Sequence, residues 1–210
     1  MINFPNSTIV NRFLPKDKFY SKTVVNTKLR ELFTDEIEKI TWTNKLSSTT
    51  LNIAPGDYVE LQVFEIILKK SDISAQVLKH IDTYIPYPIL FVIKKPNLTK
   101  LVISYKEPAN AHGGLMKIAK YFETPWQEKI NIELKGRSVD EIYKNFLSQI
   151  SPQLDLTPEI NVKVAIEDTQ SREKTIKQID ALNRAILHEP SVAKQQQLAR
   201  ERYILENQLR

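Results

Sequence analysis

One run of ten residues, Val59-Glu-Leu-Gln-Val-Phe-Glu-Ile-Ile-Leu68, constrains this chain more than any other segment. It is rich in β-branched and aromatic residues and holds neither Gly nor Pro, so it reads as a strand. Leu61, Val63 and Glu65 project to one side, and Gln62, Phe64 and Ile66 to the other. A strand needs partners, and the chain supplies them. Ile89-Leu-Phe-Val-Ile93 and Leu101-Val-Ile-Ser-Tyr105, joined through Pro96-Asn-Leu-Thr-Lys100, read as a hairpin. Residues 115–122 and 130–134 suit two more strands, and an earlier one begins near Ile37–Lys45. Ala54-Pro-Gly-Asp57 is a turn signal ahead of the central run.

Helical spacing fills the gaps between these strands. Thr27 caps a helix marked by Leu29, Leu32, Phe33, Ile37 and Ile40. Ser71-Asp-Ile-Ser74 caps another over residues 75–84, with Val77, Leu78, Ile81 and Ile85 inward, until Pro86 and Pro88 stop it. Ser138 caps a third, whose Val139, Ile142, Tyr143, Phe146, Leu147 and Ile150 share one face. Residues 27–150 therefore predict an α+β domain, a largely antiparallel sheet with packed helices. Residues 1–26 read as a basic, extended N-terminal arm, and 151–168 as a linker.

Residues 169–210 differ in kind. No Gly occurs there, and Pro190 is the single Pro. Ile176, Ile179, Leu182 and Ile186 form one stripe; Val192, Leu198, Leu205 and Leu209 form a second. An antiparallel helical hairpin turning near Pro190 would bury both. Its core is thin, so it should pack on something else: the domain, a twin copy, or a different protein.

Composition excludes several chemistries. Zero Cys removes disulfides, thiolate zinc sites and Cys nucleophiles. Four Gly, at 56, 113, 114 and 136, cannot build a P-loop, a dinucleotide-binding turn or a nucleophile elbow. The first residues show no basic, then apolar, leader, and nowhere do about 18 apolar residues run together. A cytoplasmic protein without a membrane span is expected. His80, His112 and His188 lack metal-ligand spacing, so no metal or cofactor is expected. His112, in a loop beside two glycines, is the least ordinary of the three.

Charge is unevenly placed. Arg12, Lys16, Lys18, Lys22, Lys28 and Arg30 stand against Asp17 alone in residues 1–30, which accounts for the whole net charge of +5. Interleaved with Phe13, Phe19 and Tyr20, they form a candidate nucleic-acid contact, by charge and by stacking. Asp57, Glu60, Glu65 and Lys69 surround the central strand and are the most enzyme-like group. A metal-dependent nuclease would place a lysine two residues beyond a strand carboxylate. Lys69 follows Glu65 by four residues, about 13 Å of strand, which separates them too far for one site. Trp42 and Trp126 are expected to pack on the sheet rather than to serve as stacking platforms.

Several segments together resemble one bacterial family, domain of unknown function 4391. They are Phe4-Pro-Asn-Ser-Thr8, Glu38-Lys-Ile-Thr-Trp-Thr-Asn-Lys-Leu-Ser47, Val63-Phe-Glu-Ile66, Ile85-Pro-Tyr-Pro-Ile-Leu-Phe91, Ile103-Ser-Tyr-Lys106 and Tyr121-Phe-Glu-Thr-Pro-Trp126. The resemblance carries no catalytic residue. It implies a genomic setting beside helicase, restriction-modification and methyltransferase genes in phage-defence islands. On that basis the expected role is a non-catalytic accessory or adaptor subunit of a DNA-acting assembly, bound to a helicase or methyltransferase and in contact with DNA. Ile176, Ile179, Leu182, Ile186, Leu198, Leu205 and Leu209 would serve the partner or a homo-oligomer. A metal-dependent or degenerate nuclease-like domain is the alternative, and a self-associating structural module the second.

Overall fold

The computed structural model describes residues 2–20, 27–108, 116–154, 156 and 161–209. Lys22 and His112 lie outside them. The chain divides into two compact units, residues 1–152 and 153–210.

The first unit is built on a six-stranded sheet in the order β1-β2-β3-β4-β5-β6, with every strand beside its neighbour in sequence. The strands are β1 (Ile9–Phe13), β2 (Ile37–Ser47), β3 (Glu60–Leu68), β4 (Ile89–Lys95), β5 (Leu98–Pro108) and β6 (Met116–Glu123). All adjacent pairs are antiparallel except β3 and β4. That pair is parallel because a helix, α4 (Ala75–Thr83), carries the chain back across the sheet between them. The fold is α+β with a largely antiparallel sheet, as the sequence predicts.

A short helix α1 (Asp17–Tyr20) follows β1, α2 (Thr27–Glu36) leads directly into β2, and α3 (Ser48–Leu51) follows it. The helical spacing through Ile37 and Ile40 overruns the true end of α2. Both isoleucines are strand residues, fully buried, and their backbone pairs with β3. The segment expected as an arm contributes β1, an edge strand bulged where Asn11 takes a positive φ of 46°. Such a bulge twists an edge away from further pairing.

The alternation in β3 separates two packed faces. Phe64, Ile66 and Leu68 join Phe33, Val77, Leu78 and Ile81 of α2 and α4 in one hydrophobic cluster. On the other face lies α5 (Val139–Ile150), with Ile142, Tyr143, Phe146, Leu147 and Ile150 buried. Ser138 caps α5 by accepting from the Glu141 N–H at 3.2 Å. Just before it, Gly136 has φ 151°, and an added Cβ would meet the Ile142 nitrogen at 2.7 Å. Only glycine fits there.

Residues 130–134 are not a strand. Ile130 and Ile132 do alternate inward and are buried. The backbone of Glu133, however, is satisfied by a side chain: its N–H donates to Gln149 Oε1 at 2.8 Å, and its carbonyl accepts from Gln149 Nε2 at 2.9 Å. An amide on α5 takes the place of a ladder partner.

The second unit contains α6 (Val162–His188) and α7 (Val192–Gln208), packed against each other. Pro190 sits in the three-residue turn between them. α6 begins seven residues before position 169, capped by Asn161, whose Oδ1 accepts from the Lys163 N–H at 2.8 Å.

Candidate functional site

The residues around β3 are drawn into separate interactions. Glu60 pairs with Lys45 at 3.3 Å, and Glu65 with Lys94 of β4 at 2.6 Å. Lys69 donates to the Thr34 carbonyl at 2.9 Å, and Asp57 is exposed in the turn before the strand. Among the described residues, no group of three or more His, Asp or Glu is placed to hold a metal ion. Glu65 and Lys94 do line a cleft of about 420 Å³ on the sheet, together with Thr43, Val63, Glu128 and Lys129.

The N-terminal basic residues are divided between solvent and structure. Arg12, Lys18, Lys28 and Arg30 are exposed. Arg30 lies over the Tyr20 ring, 5.3 Å from its centroid. Lys16 is a structural residue, donating to the Ile37 carbonyl at 2.8 Å. Burial, with the charge of Lys69 nearby, lowers its pKa. Of the aromatics, Phe19 stacks on Phe33 in the core and Phe13 stands exposed at the edge. Trp42 and Trp126 are half-buried and pack on the core cluster. Lys95 covers Trp126 at 4.1 Å, which leaves that ring poorly placed to stack on a base.

A buried polar centre escaped sequence reasoning. Lys106, 1% exposed, pairs with Asp82, which is fully buried, at 2.7 Å. The ammonium also donates to the carbonyls of Asp82, Ile85 and Tyr87 at 2.8, 2.5 and 2.9 Å. They lie where α4 ends and the Pro86–Pro88 turn begins, and the Asp82 carbonyl also accepts from the Ile85 N–H at 3.3 Å. Tyr121 donates to the second Asp82 oxygen at 2.8 Å, Tyr58 to the Lys106 carbonyl at 2.8 Å, and Tyr143 to the Ser104 carbonyl. Burial lowers the Lys106 pKa against the opposing pull of Asp82. Burial likewise raises those of Tyr121, Tyr143 and Tyr58, with Asp82 adding to the first. The centre serves the fold: its lysine, carboxylate and tyrosines are spent on one another and on backbone carbonyls, although the buried Ser104 Oγ has no hydrogen-bond partner among the described residues. One signal did exist: Asp82 interrupts the inward stripe of α4, four residues after Leu78.

Three of the segments that carry the family resemblance, 85–91, 103–106 and 121–126, meet at this centre. The family described as Domain of unknown function (DUF4391) matches residues 2–209. The chain belongs to it. No curated protein and no solved structure matches. The DUF4391 match extends through both units, so the helical hairpin is part of the family's extent and not an appendage.

Six of the ten large apolar side chains that stand exposed among the described residues lie on that hairpin. Its register is held by Arg202 donating to Asn183 at 3.1 Å, Arg172 to the Leu209 carbonyl at 3.2 Å, and Gln195 to the Glu189 carbonyl at 2.7 Å. Ile179, Leu182, Ile186, Leu198, Leu205 and Leu209 are half-buried along the seam. Yet α7 has no buried residue at all. Ile176 is 48% exposed, Leu187 79%, Val192 67%, Tyr203 61% and Ile204 58%. Among the described residues, no helix is long and apolar enough to cross a membrane.

Proposed function

We propose that the chain is a non-catalytic accessory subunit of a DNA-acting assembly of the phage-defence or restriction-modification kind. It docks through α6 and α7 on a helicase or methyltransferase subunit. The observation that carries this reading is the apolar surface of a seventeen-residue helix with nothing buried. Each large apolar side chain left in water forgoes about 1.5–3 kcal/mol of burial, so a protein partner is the natural cover. Charges of both signs stand on the same helices, which suits a protein better than DNA. The exposed Arg12, Lys18, Lys28 and Arg30 are available to phosphates, and DNA contact is assigned to them.

Co-purification of the tagged full chain with the products of neighbouring helicase and methyltransferase genes is the test. Retention of one such subunit, abolished by Ile204→Asp, supports the reading. Failure to retain any of them counts against it. The cleft at Glu65, with Glu128, Lys94 and Lys129 beside it, favours a second reading as a nuclease-like domain. Cleavage of DNA or RNA with Mg²⁺ or Mn²⁺, lost in Glu65→Gln, would establish that instead.

A further inference from the structure

The apolar side chains that the hairpin exposes are not scattered. Ile176 and Leu187 are three helical turns apart on α6, and so are Val192 and Tyr203 on α7, about 16 Å in each case. On α6 the seam with α7 runs through Ile179, Leu182 and Ile186, and Ile176 and Leu187 lie about 100° around the helix from it. On α7, Val192 and Tyr203 lie about 100° from the seam in the same rotational sense. Because the two helices run in opposite directions, equal rotations of the same sense point to the same side. All four residues therefore share one face of the hairpin. The register places Leu187 near Val192 at the turn, and Ile176 near Tyr203 farther along.

Two opposite charges flank this face at one level. Asp180 on α6 and Arg200 on α7 are both exposed, and neither has a side-chain partner among the described residues. A two-fold axis parallel to the helices would set α6 of one copy against α7 of the other. That operation brings Ile176 opposite Tyr203, Leu187 opposite Val192, and Asp180 beside Arg200, each pairing occurring twice. The apolar residues become the middle of a four-helix bundle, and the charges take flanking positions that select register. An axis at right angles, setting α6 on α6, would place acid with acid.

We infer that this face of the hairpin binds a second copy of the chain, forming an antiparallel four-helix bundle across a two-fold axis. The inference rests on reading the hairpin as a protein-docking element. It leaves Ile204, on another side of α7, for the heterologous subunit.

Light scattering and sedimentation of the full-length chain test it, with circular dichroism confirming that each variant stays folded. The expected result is a dimer that Asp180→Arg or Arg200→Asp each weakens by at least about tenfold, through two like-charge contacts per dimer. Mixing the two single variants restores it, because one copy of each satisfies both pairs. A charge pair confined to one hairpin predicts no recovery on mixing. A parent chain that stays monomeric overturns the inference, as does a dimer indifferent to both variants or a mixture that stays dissociated. A monomeric parent that still retains a helicase or methyltransferase subunit would overturn the pairing and leave the adaptor reading standing.

Discussion

Replacing Lys106 by Met should be the most damaging single substitution that leaves side-chain volume nearly unchanged. In the parent, the ammonium neutralises a fully buried carboxylate at 2.7 Å and supplies donors to three carbonyls at the end of α4. Methionine removes the charge and every donor. Breaking a buried pair by deleting one partner costs about 3–5 kcal/mol, because the remaining charge is stranded. The Ile85 and Tyr87 carbonyls lose this donor at about 1–3 kcal/mol each where water cannot reach them, while the Asp82 carbonyl keeps the Ile85 N–H. Tyr121 still donates to Asp82 and offsets part of this. A loss of at least about 4 kcal/mol follows, a large share of the 5–15 kcal/mol typical of a domain. Asp82→Asn should cost less, about 2 kcal/mol, since Lys106 keeps its carbonyl acceptors and burial already favours its neutral form. Equilibrium urea unfolding followed by the fluorescence of Trp42 and Trp126 measures both. A Lys106→Met protein within about 1 kcal/mol of the parent, or one more stable than Asp82→Asn, would refute the assignment of this network as the keystone of the sheet.

Three further outcomes are expected. Stability should fall as the pH rises above 10: Tyr58, Tyr121 and Tyr143 hold their protons in the folded chain beyond the value of 10.0 at which the unfolded chain releases them. Each contributes a loss of about 1.4 kcal/mol per pH unit, opposed by Lys106 and Lys16, whose lowered pKa values act in the other direction only until the unfolded lysines lose their protons at the ordinary value of 10.5; unfolding coincident with tyrosine ionisation near 295 nm checks it. A chain ending at Pro152 should fold and keep its near-ultraviolet dichroism, because the sheet with α2, α4 and α5 lies within residues 1–152; loss of cooperative unfolding would make the hairpin part of the core. If DNA binds, Arg12→Glu, Lys18→Glu and Lys28→Glu together should flatten its salt dependence, the log–log slope falling by roughly one for each phosphate that is no longer neutralised. An unchanged slope would move the DNA-binding surface elsewhere. Lys16 is omitted from that set because its bond to Ile37 confounds binding with stability.

What could be read from the sequence follows from which interactions are local. Period-two runs and inward stripes located β3, β4, β5, α4, α5 and the hairpin, since burial on one face writes itself directly into residue order. The failures arise where one segment is completed by a distant one. Ile130 and Ile132 look like a strand, yet Gln149 provides the hydrogen bonds from α5. Ile37 and Ile40 extend a helical spacing, yet β3 captures them into a ladder. Lys106 in a strand and Asp82 on a helix look like separate blemishes in apolar patterns. Only the parallel crossing of β3 and β4 through α4 brings the end of that helix to β5, and with it the lysine to three carbonyls and a carboxylate.

The same contrast governs the surfaces. A net charge confined to residues 1–30 suggested one continuous basic arm, but what a side chain does depends on where the backbone puts it. β1 joins the sheet edge, Lys16 turns inward to Ile37, and the exposed basic residues among the described ones of that segment are Arg12, Lys18, Lys28 and Arg30. The hairpin stripes, by contrast, are local in sequence, and they account for the seam between α6 and α7. They fail at Ile176 and Val192, which were placed in the stripes but lie off the seam, and they did not include Leu187, Tyr203 and Ile204, which are also exposed. Apolar residues in excess of what a fold can cover specify an assembly rather than a fold. In this chain they belong to the smaller of the two units, on helices whose own seam is already closed without them.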